Sequence, residues 1–241
     1  FVPDLQAHTD DRTVALPEQA SAHVSRVLRM RAGDALTVFD GSGGEYSAEI
    51  ANIAKKEVTL RLGAHSSTER ESPLAVTLIQ GLARGDKMDY IVQKATELGV
   101  ARIIPVATMR GIVQLDEDRG DRKWQHWRAV AAAACEQCGR NRLPQIEPPC
   151  SLEQLWQTNT LPSLRLLLSP HAQTGIASAL IPRPTELAIL IGPEGGLDPE
   201  EESRAVAAGF RQVTLGPRVL RTETAGLAVL AAVQSLAGDL Q

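Results

Sequence analysis

The 241-residue sequence predicts an α/β fold, a larger α/β domain over residues 74–241 preceded by a small β-rich unit over residues 1–70. Three observations predict it. Short runs of alternating apolar and polar residues fill the first part. From Leu74 the rhythm changes to strand, loop, helix, strand. Two later runs, LRLLLS (164–169) and ELAILI (186–191), are unbroken, as expected of strands buried on both faces of a parallel sheet.

In the first part, Pro17 opens a helix through LPEQASAHVSRVLRM, since its fixed φ and missing N–H suit a first helical turn. ALTVF, EYSAEIANI and KEVTLRL read as strands, with the turn-former Asp40-Gly41-Ser42-Gly43-Gly44 between the first two. Such a unit is barrel-like. GAHSSTERESP (63–73) is polar and without periodicity, and reads as a linker.

In the second part, LAVTLIQ is a strand and GLARG a loop. Asp86 is the expected cap of a helix whose Met88, Ile91, Val92, Ala95 and Leu98 form an apolar stripe ending at Gly99. VARIIPVA is the next strand. A second helix is expected from about Asp121 to Gln137, with Trp124, Trp127, Ala131, Ala134 and Cys138 on one side. Ser151 caps a third, short helix. Asp198 and Pro199 begin another, with Glu200, Glu201 and Glu202 in its first turn, where carboxylates favour the helix dipole. The last helix is expected to start at Thr222 as cap and to end at Gly238. It is apolar or small nearly all round, so it must be buried in its own domain or against another subunit, which points to a homodimer.

Composition narrows the function classes. A net charge of −4 gives no global attraction for nucleic acid, so any polyanion would be held by local patches. No apolar stretch approaches the roughly 18 residues of a membrane span, and the start FVPDLQAHTDDR lacks the layout of a signal peptide. The expectation is a soluble, cytoplasmic protein. Three cysteines do not make a disulfide framework, and Cys135-x-x-Cys138 lacks the second ligand pair of a zinc site. Packed thiols and no metal are expected.

Ligands of open parallel sheets gather outside the carboxyl ends of the strands. Three loops of this chain fall there: Ser169-Pro170-His171, Gly192 to Gly196, and Gly216-Pro217-Arg218. Neither the dinucleotide turn nor the P-loop is present. The acids that follow LIGPEGGLDPEE would repel a phosphate, whereas the glycines let main-chain groups approach a flat or extended ligand that is neutral or cationic. Adenosine joined to a sulfonium fits. A plain tight turn capped by Asp198 is the alternative.

These residues carry a resemblance. IGPEGGLDPEE, followed about twenty residues later by LGPRVLRTETA, resembles the paired signature of the 16S ribosomal RNA uridine-N3 methyltransferases, a branch of the SPOUT methyltransferases. HVSRVLRMRAGD with FDGSGGEY, KMDYIVQKATELGVARIIP and AAAACEQCGR are similar to other parts of that family, so the resemblance spans almost the whole chain. The short basic start usual in the family does not precede Phe1, and Ala22-His23 stands where paired histidines are frequent.

The resemblance implies a PUA-like β-barrel ahead of an α/β domain with a deep trefoil knot. It also implies a homodimer, S-adenosylmethionine as cofactor, and methyl transfer to N3 of a uridine in 16S rRNA of the small ribosomal subunit. The cofactor loops it implies are Leu168, Ser169 and Pro170; Ile191, Gly192, Pro193, Glu194, Gly195 and Gly196; and Leu215, Gly216, Arg218, Val219 and Leu220, followed by Thr224.

Methyl transfer to N3 requires the ring proton to leave, through a general base or with a cation beside the anion. Arg221 is the candidate for steadying the nucleotide and Glu223 the candidate base. Helix-end charges or an intersubunit ion pair are the alternative roles. RNA needs cations, and His23, Arg26 and Arg29 recur every three residues, which predicts one helix face, with Arg31 just beyond. Arg84, Lys94 and Arg140 complete the candidate RNA-binding set, and Lys87, Arg110 and Arg142 are further cations. The rival readings are a non-catalytic RNA-binding protein of the same fold and an enzyme of a phosphorylated nucleotide.

Overall fold

In the longer strands of the first part the buried residues alternate with more exposed ones, Ala48 and Ile50 in one and Val58, Leu60 and Leu62 in the next, so the sheet has one apolar face. The computed structural model describes residues 1–3, 5, 12–55, 57–111, 117–158 and 160–240. The chain divides into two compact units, Phe1–Glu71 with Cys135–Leu143, and Ser72–Ala134 with Pro144–Gln241.

The first unit contains β1 (Thr13–Ala15), helix α1 (Glu18–Ala22), β2 (Ala35–Val38), β3 (Glu45–Ile53) and β4 (Val58–Ser66). The strands form an antiparallel sheet in the order β1-β4-β3-β2. Ala48 and Ile50 from β3 and Val58, Leu60 and Leu62 from β4 point to one side, where they bury with Val14, Leu16 and Val24. Strand β1 is an addition to the elements read from sequence, too short to show a period.

Two expectations for this unit are corrected. After α1 the chain widens into a π-helical turn, His23–Val27, and Arg29 adopts a left-handed φ of 54°. Arg29 and Arg31 therefore leave the helix, and the three-residue spacing does not make one face of His23, Arg26 and Arg29, although all four side chains are exposed. The stretch 63–73 is not a plain linker. Strand β4 continues to Ser66, Ala64 N–H donates to Ser47 Oγ at 3.0 Å, Arg70 pairs with Glu45 at 2.8 Å, and Asn141 Nδ2 donates to Thr68 O at 2.5 Å. Its polar residues are tied to partners distant in sequence, which local composition does not register.

Arg140 is a third correction. Its side chain is 6% exposed and its Nε donates to Glu71 Oε1 at 2.9 Å, so the guanidinium is built into this unit and presents no charge to RNA. Nearby, burial pushes the Cys135 thiol up to about 12, as expected of a packed, unreactive cysteine.

The second unit runs β5 (Ala75–Gly81), α2 (Lys87–Glu97), β6 (Arg102–Ala107), α3 (Glu117–Cys138), β7 (Gln145–Ile146), β8 (Cys150–Ser151), α4 (Leu152–Gln157), β9 (Arg165–Leu168), α5 (Ile176–Ala179), β10 (Glu186–Ile191), α6 (Pro199–Ala207), β11 (Phe210–Val213) and α7 (Thr222–Ala237). The strands lie in the order β11-β9-β10-β5-β6-β7, with β8 also beside β6, and every ladder is parallel. Leu187 to Leu190 are fully buried, because helices cover both faces of β10. Met88, Ile91, Val92 and Ala95 of α2 pack into the core, and Gly99, at φ 77°, turns the chain out of the helix.

The capping expectations divide. Ser151 and Asp198 form full capping boxes with Gln154 and Glu201. Asp86 makes no side-chain capping bond, because its φ of −82° and ψ of 3° are not the extended geometry that aims a cap side chain at the first amides. Thr222 is not a cap either. Arg221 holds that place, and Thr222 is the first helical residue with its side chain turned inward. Helix α7 buries Ala225, Gly226, Val229, Leu230 and Val233, while Leu227, Ala228 and Ala231 are partly exposed and Leu236 exposed. Among the described residues no helix is long and apolar enough to cross a membrane.

Candidate functional site

In the sheet β9 lies between β10 and β11, so the chain turns first to one side of β9 and then to the other. That reversal opens a crevice at the carboxyl ends of these strands. The loops after β9, β10 and β11 enclose a cavity of about 420 Å³. Its walls are Leu167 to Pro170, Ile191 to Glu194, Gly196 and Leu197, Thr214 and Leu215, and Arg218 to Thr222, with Lys87, Glu202 and Ala225. Aliphatic side chains, glycines and prolines make up much of this wall.

The loop after β10 is held from several sides. Gly196 N–H donates to Pro193 O at 2.9 Å and Gly196 has a φ of 70°, a conformation that glycine adopts without strain. A Cβ on Gly81, at the end of β5, would lie 2.6 Å from Pro193 N, so only glycine lets the strand approach this loop. Beneath it, Thr222 Oγ1 donates to Gly192 O at 2.6 Å and accepts from Gln80 Nε2 at 2.9 Å.

The acids after the glycines have separate tasks. Glu201 is buried, and its carboxylate accepts from Asp198 N at 2.9 Å and from Met109 N at 2.7 Å. Glu200 pairs with Arg204. Glu202 faces the cavity. Glu194 Oε1 accepts from Arg84 N at 3.1 Å and from Lys87 Nζ at 2.9 Å. Lys87 also lies 3.3 Å from Glu223 Oε2. Burial pushes the Glu194 carboxyl up, but its bonds to Lys87 and to main-chain amides outweigh burial and hold it below its ordinary value. The Glu194 bond raises Lys87, against a smaller desolvation effect, and Glu223 adds to the rise.

Residues 70–234 match the RNA methyltransferase domain family, and residues 16–63 match the RNA methyltransferase PUA domain. The chain belongs to the RNA methyltransferase family. The ribosomal RNA small subunit methyltransferase E of Bacillus subtilis is 32% identical to it over 228 residues, 92% of this chain and 89% of that protein. A structure of the enzyme of that name from Neisseria gonorrhoeae, bound to S-adenosyl methionine, is 38% identical, with a TM-score of 0.86 over 95% of this chain and 94% of the other. A methyltransferase of Legionella pneumophila in complex with the same cofactor is 37% identical, with a TM-score of 0.90 over 100% of this chain and 96% of its own.

In this RNA methyltransferase the cavity wall includes Leu168, Ser169, Pro170, Ile191, Gly192, Pro193, Glu194, Gly196, Leu215, Arg218, Val219 and Leu220. Gly195, Gly216 and Thr224 are outside it. Gly195 backs onto Arg110, where a Cβ would meet the carbonyl oxygen at 3.1 Å, and Thr224 points to solvent. Arg221 lines the cavity, whereas Glu223 does not and is paired with Lys87. Arg84 is exposed, and Lys94 pairs with Glu97 at 2.7 Å. Among the described residues no cluster of His, Cys, Asp and Glu is placed to hold a metal ion.

Sequence reading missed Thr222 and Gln80 as a link between strand end and loop, and left Lys87 among the surface cations. One signal was available for Lys87. A cation in the first turn of a helix opposes the helix dipole, so it marks carboxylates brought in from elsewhere.

Proposed function

We propose that this RNA methyltransferase transfers a methyl group from S-adenosylmethionine to N3 of a uridine in 16S rRNA of the small ribosomal subunit. The observation that carries the reading is the cavity of about 420 Å³ between three strand-end loops, lined by aliphatic residues and glycines together with Glu194 and Glu202. The aliphatic wall suits an adenosine, and those carboxylates suit the positive charge of a sulfonium. When bound, the cofactor supplies an electrophilic methyl group on a sulfonium. Main-chain groups of Leu168 to Pro170, Ile191 to Glu194, Gly196, Leu215 and Arg218 to Leu220 would hold it. Arg221 steadies the target nucleotide.

The fold assigned with this function has residues 1–70 as a PUA-like β-barrel that binds RNA and residues 74–241 as a SPOUT domain with a deep trefoil knot. Support for the knot is the path of residues 215–222 beside the 192–196 loop, joined by the Thr222 to Gly192 bond, before α7 packs on α2, β5 and β10. The partly exposed Leu227, Ala228 and Ala231 and the exposed Leu236 support a homodimer, and a ribosomal substrate implies a cytoplasmic enzyme. His23, Arg26, Arg29, Arg31, Arg84 and Lys94 remain the RNA-facing cations. A paired uridine hides N3, so the target is unpaired or flipped out.

The test has two parts. Calorimetry compares S-adenosylmethionine with ATP and NAD, and binding of the first alone is expected. Small subunits lacking the modification are then incubated with labelled cofactor and the methyl group is mapped. Binding without transfer would favour the non-catalytic reading, and a methyl group at another atom or in another RNA would overturn the substrate assignment.

A further inference from the structure

Three separate segments of the chain meet at the Lys87 ammonium. Lys87 opens α2, Glu194 lies in the loop after β10, and Glu223 is in the first turn of α7, at 2.9 and 3.3 Å from the nitrogen. Helix α2 gives no reason for a cation there, since its first turn is the positive end of the dipole. The two carboxylates supply the reason.

The arrangement leaves donor capacity open. An ammonium has three N–H donors. Glu194 accepts one and Glu223 Oε2 lies 3.3 Å from the nitrogen, so at least one N–H is left for a ligand. Lys87 lines the cavity and Glu223 does not. A carboxylate that does not line the cavity and is paired with a lysine that does is poorly placed to take a proton from a substrate. It is well placed to hold that lysine.

We propose that Lys87 contacts the target uridine and stabilises the anion formed when N3 loses its proton, and that Glu223 is a positioning residue acting through Lys87, not the base. The inference rests on the uridine-N3 reading above. The N3–H bond breaks, the proton passes to solvent, and the electron pair spreads over N3 and the two ring carbonyl oxygens. A cation beside one of those oxygens stabilises the charged form. The same two carboxylates raise Lys87 above its ordinary value, Glu194 more than Glu223, so the ammonium stays charged in the alkaline range where a uridine ionises. Glu194, Glu202, Arg218 and Arg221 are the other charged groups facing this cavity, and the two arginines add to the same effect.

The first test does not depend on turnover. In an RNA fragment carrying the mapped target uridine, that base is replaced by 5-fluorouridine, and its fluorine resonance is followed against pH in the complex without cofactor. Ionisation is expected at lower pH with the wild-type protein than with Lys87→Met, with Lys87→Arg between them. In turnover, Lys87→Met is expected to lower kcat at pH 7 at least about tenfold, the loss narrowing as pH rises. Glu223→Gln should displace the pH profile in the same direction, and the double variant should be no worse than Lys87→Met alone.

Equal loss at every pH, or loss of transfer in Glu223→Gln with activity kept in Lys87→Met, would overturn the assignment. Thermal melting and cofactor titration of each variant check that it folds. Wild-type protein that binds RNA but never methylates uridine sinks the underlying function; wild-type activity with an unchanged Lys87→Met profile sinks the lysine alone.

Discussion

Thr222 donates its hydroxyl to the carbonyl oxygen of Gly192 at 2.6 Å, joining the first turn of the last helix to the loop after β10. The Thr222 hydroxyl oxygen in turn accepts from Gln80 Nε2 at 2.9 Å, and the Thr222 and Gln80 side chains are both buried. Replacing Thr222 by Val keeps the shape but leaves a carbonyl and an amide without this partner. The expected cost is about 1–3 kcal/mol of stability. Cofactor affinity should fall as the loop loosens, while Thr222→Ser stays near wild type. Denaturant unfolding and calorimetry check both.

Gly81→Ala is expected to displace the cofactor loop without touching the cofactor. The new methyl would lie 2.6 Å from Pro193 N and 2.7 Å from Pro193 Cδ, too close for either strand or loop to stay in place. Overpacking of this kind costs about 1–3 kcal/mol. Weaker binding of S-adenosylmethionine with the fold retained is the predicted result, and unchanged affinity would show that the loop gives way freely.

Arg221→Ala should leave cofactor binding intact and lower methyl transfer at least about tenfold, since a cation facing the nucleotide acts mainly on the reacting complex. Single-turnover rates with calorimetry separate the two quantities.

Salt dependence separates surface cations from Arg140. Loss of one phosphate contact lowers the salt slope of RNA binding by about one. Arg26→Ala and Arg29→Ala are expected to do so. Arg140→Met should leave the slope unchanged and instead destabilise the protein by about 3–5 kcal/mol, because it strands the largely buried partner Glu71.

Glu194 gives the fold a dependence on acid. Its carboxyl is held below the ordinary value of 4.5, so its contribution to stability is present above that value and is lost as pH falls through the lowered one. Lys87 works in the opposite sense. Raised above 10.5, it contributes fully below that value and loses its contribution as pH rises through the higher one. Glu194→Gln should flatten the acid limb of thermal stability, and an unaltered limb would deny Glu194 this role.

The elements legible in the sequence were those with a local physical signal. The unbroken runs Leu164 to Ser169 and Glu186 to Ile191 became parallel strands, and Ser151 and Asp198 became caps because a polar side chain three residues ahead of Gln154 or Glu201 completes a box within one turn. The placing of three loops at the strand ends followed from the same alternation. Arg29 defeated its spacing, since a π turn and a left-handed residue intervene that no three-residue period reveals. Thr222 defeated its position, since a threonine before an apolar helix reads as a cap until a carbonyl from the 192–196 loop is brought beneath it.

From its amino acids alone, then, this protein determined the order and type of most elements and the segments that wall the cavity, because periodicity, glycine freedom and capping act over a few neighbouring residues. Tertiary structure decided which charges meet. Lys87 and Glu194 are 107 residues apart, and Lys87 faces the cavity only because the start of α2, the loop after β10 and the first turn of α7 converge on one nitrogen. An ion pair depends on distance in space, and only the packed sheet sets that distance.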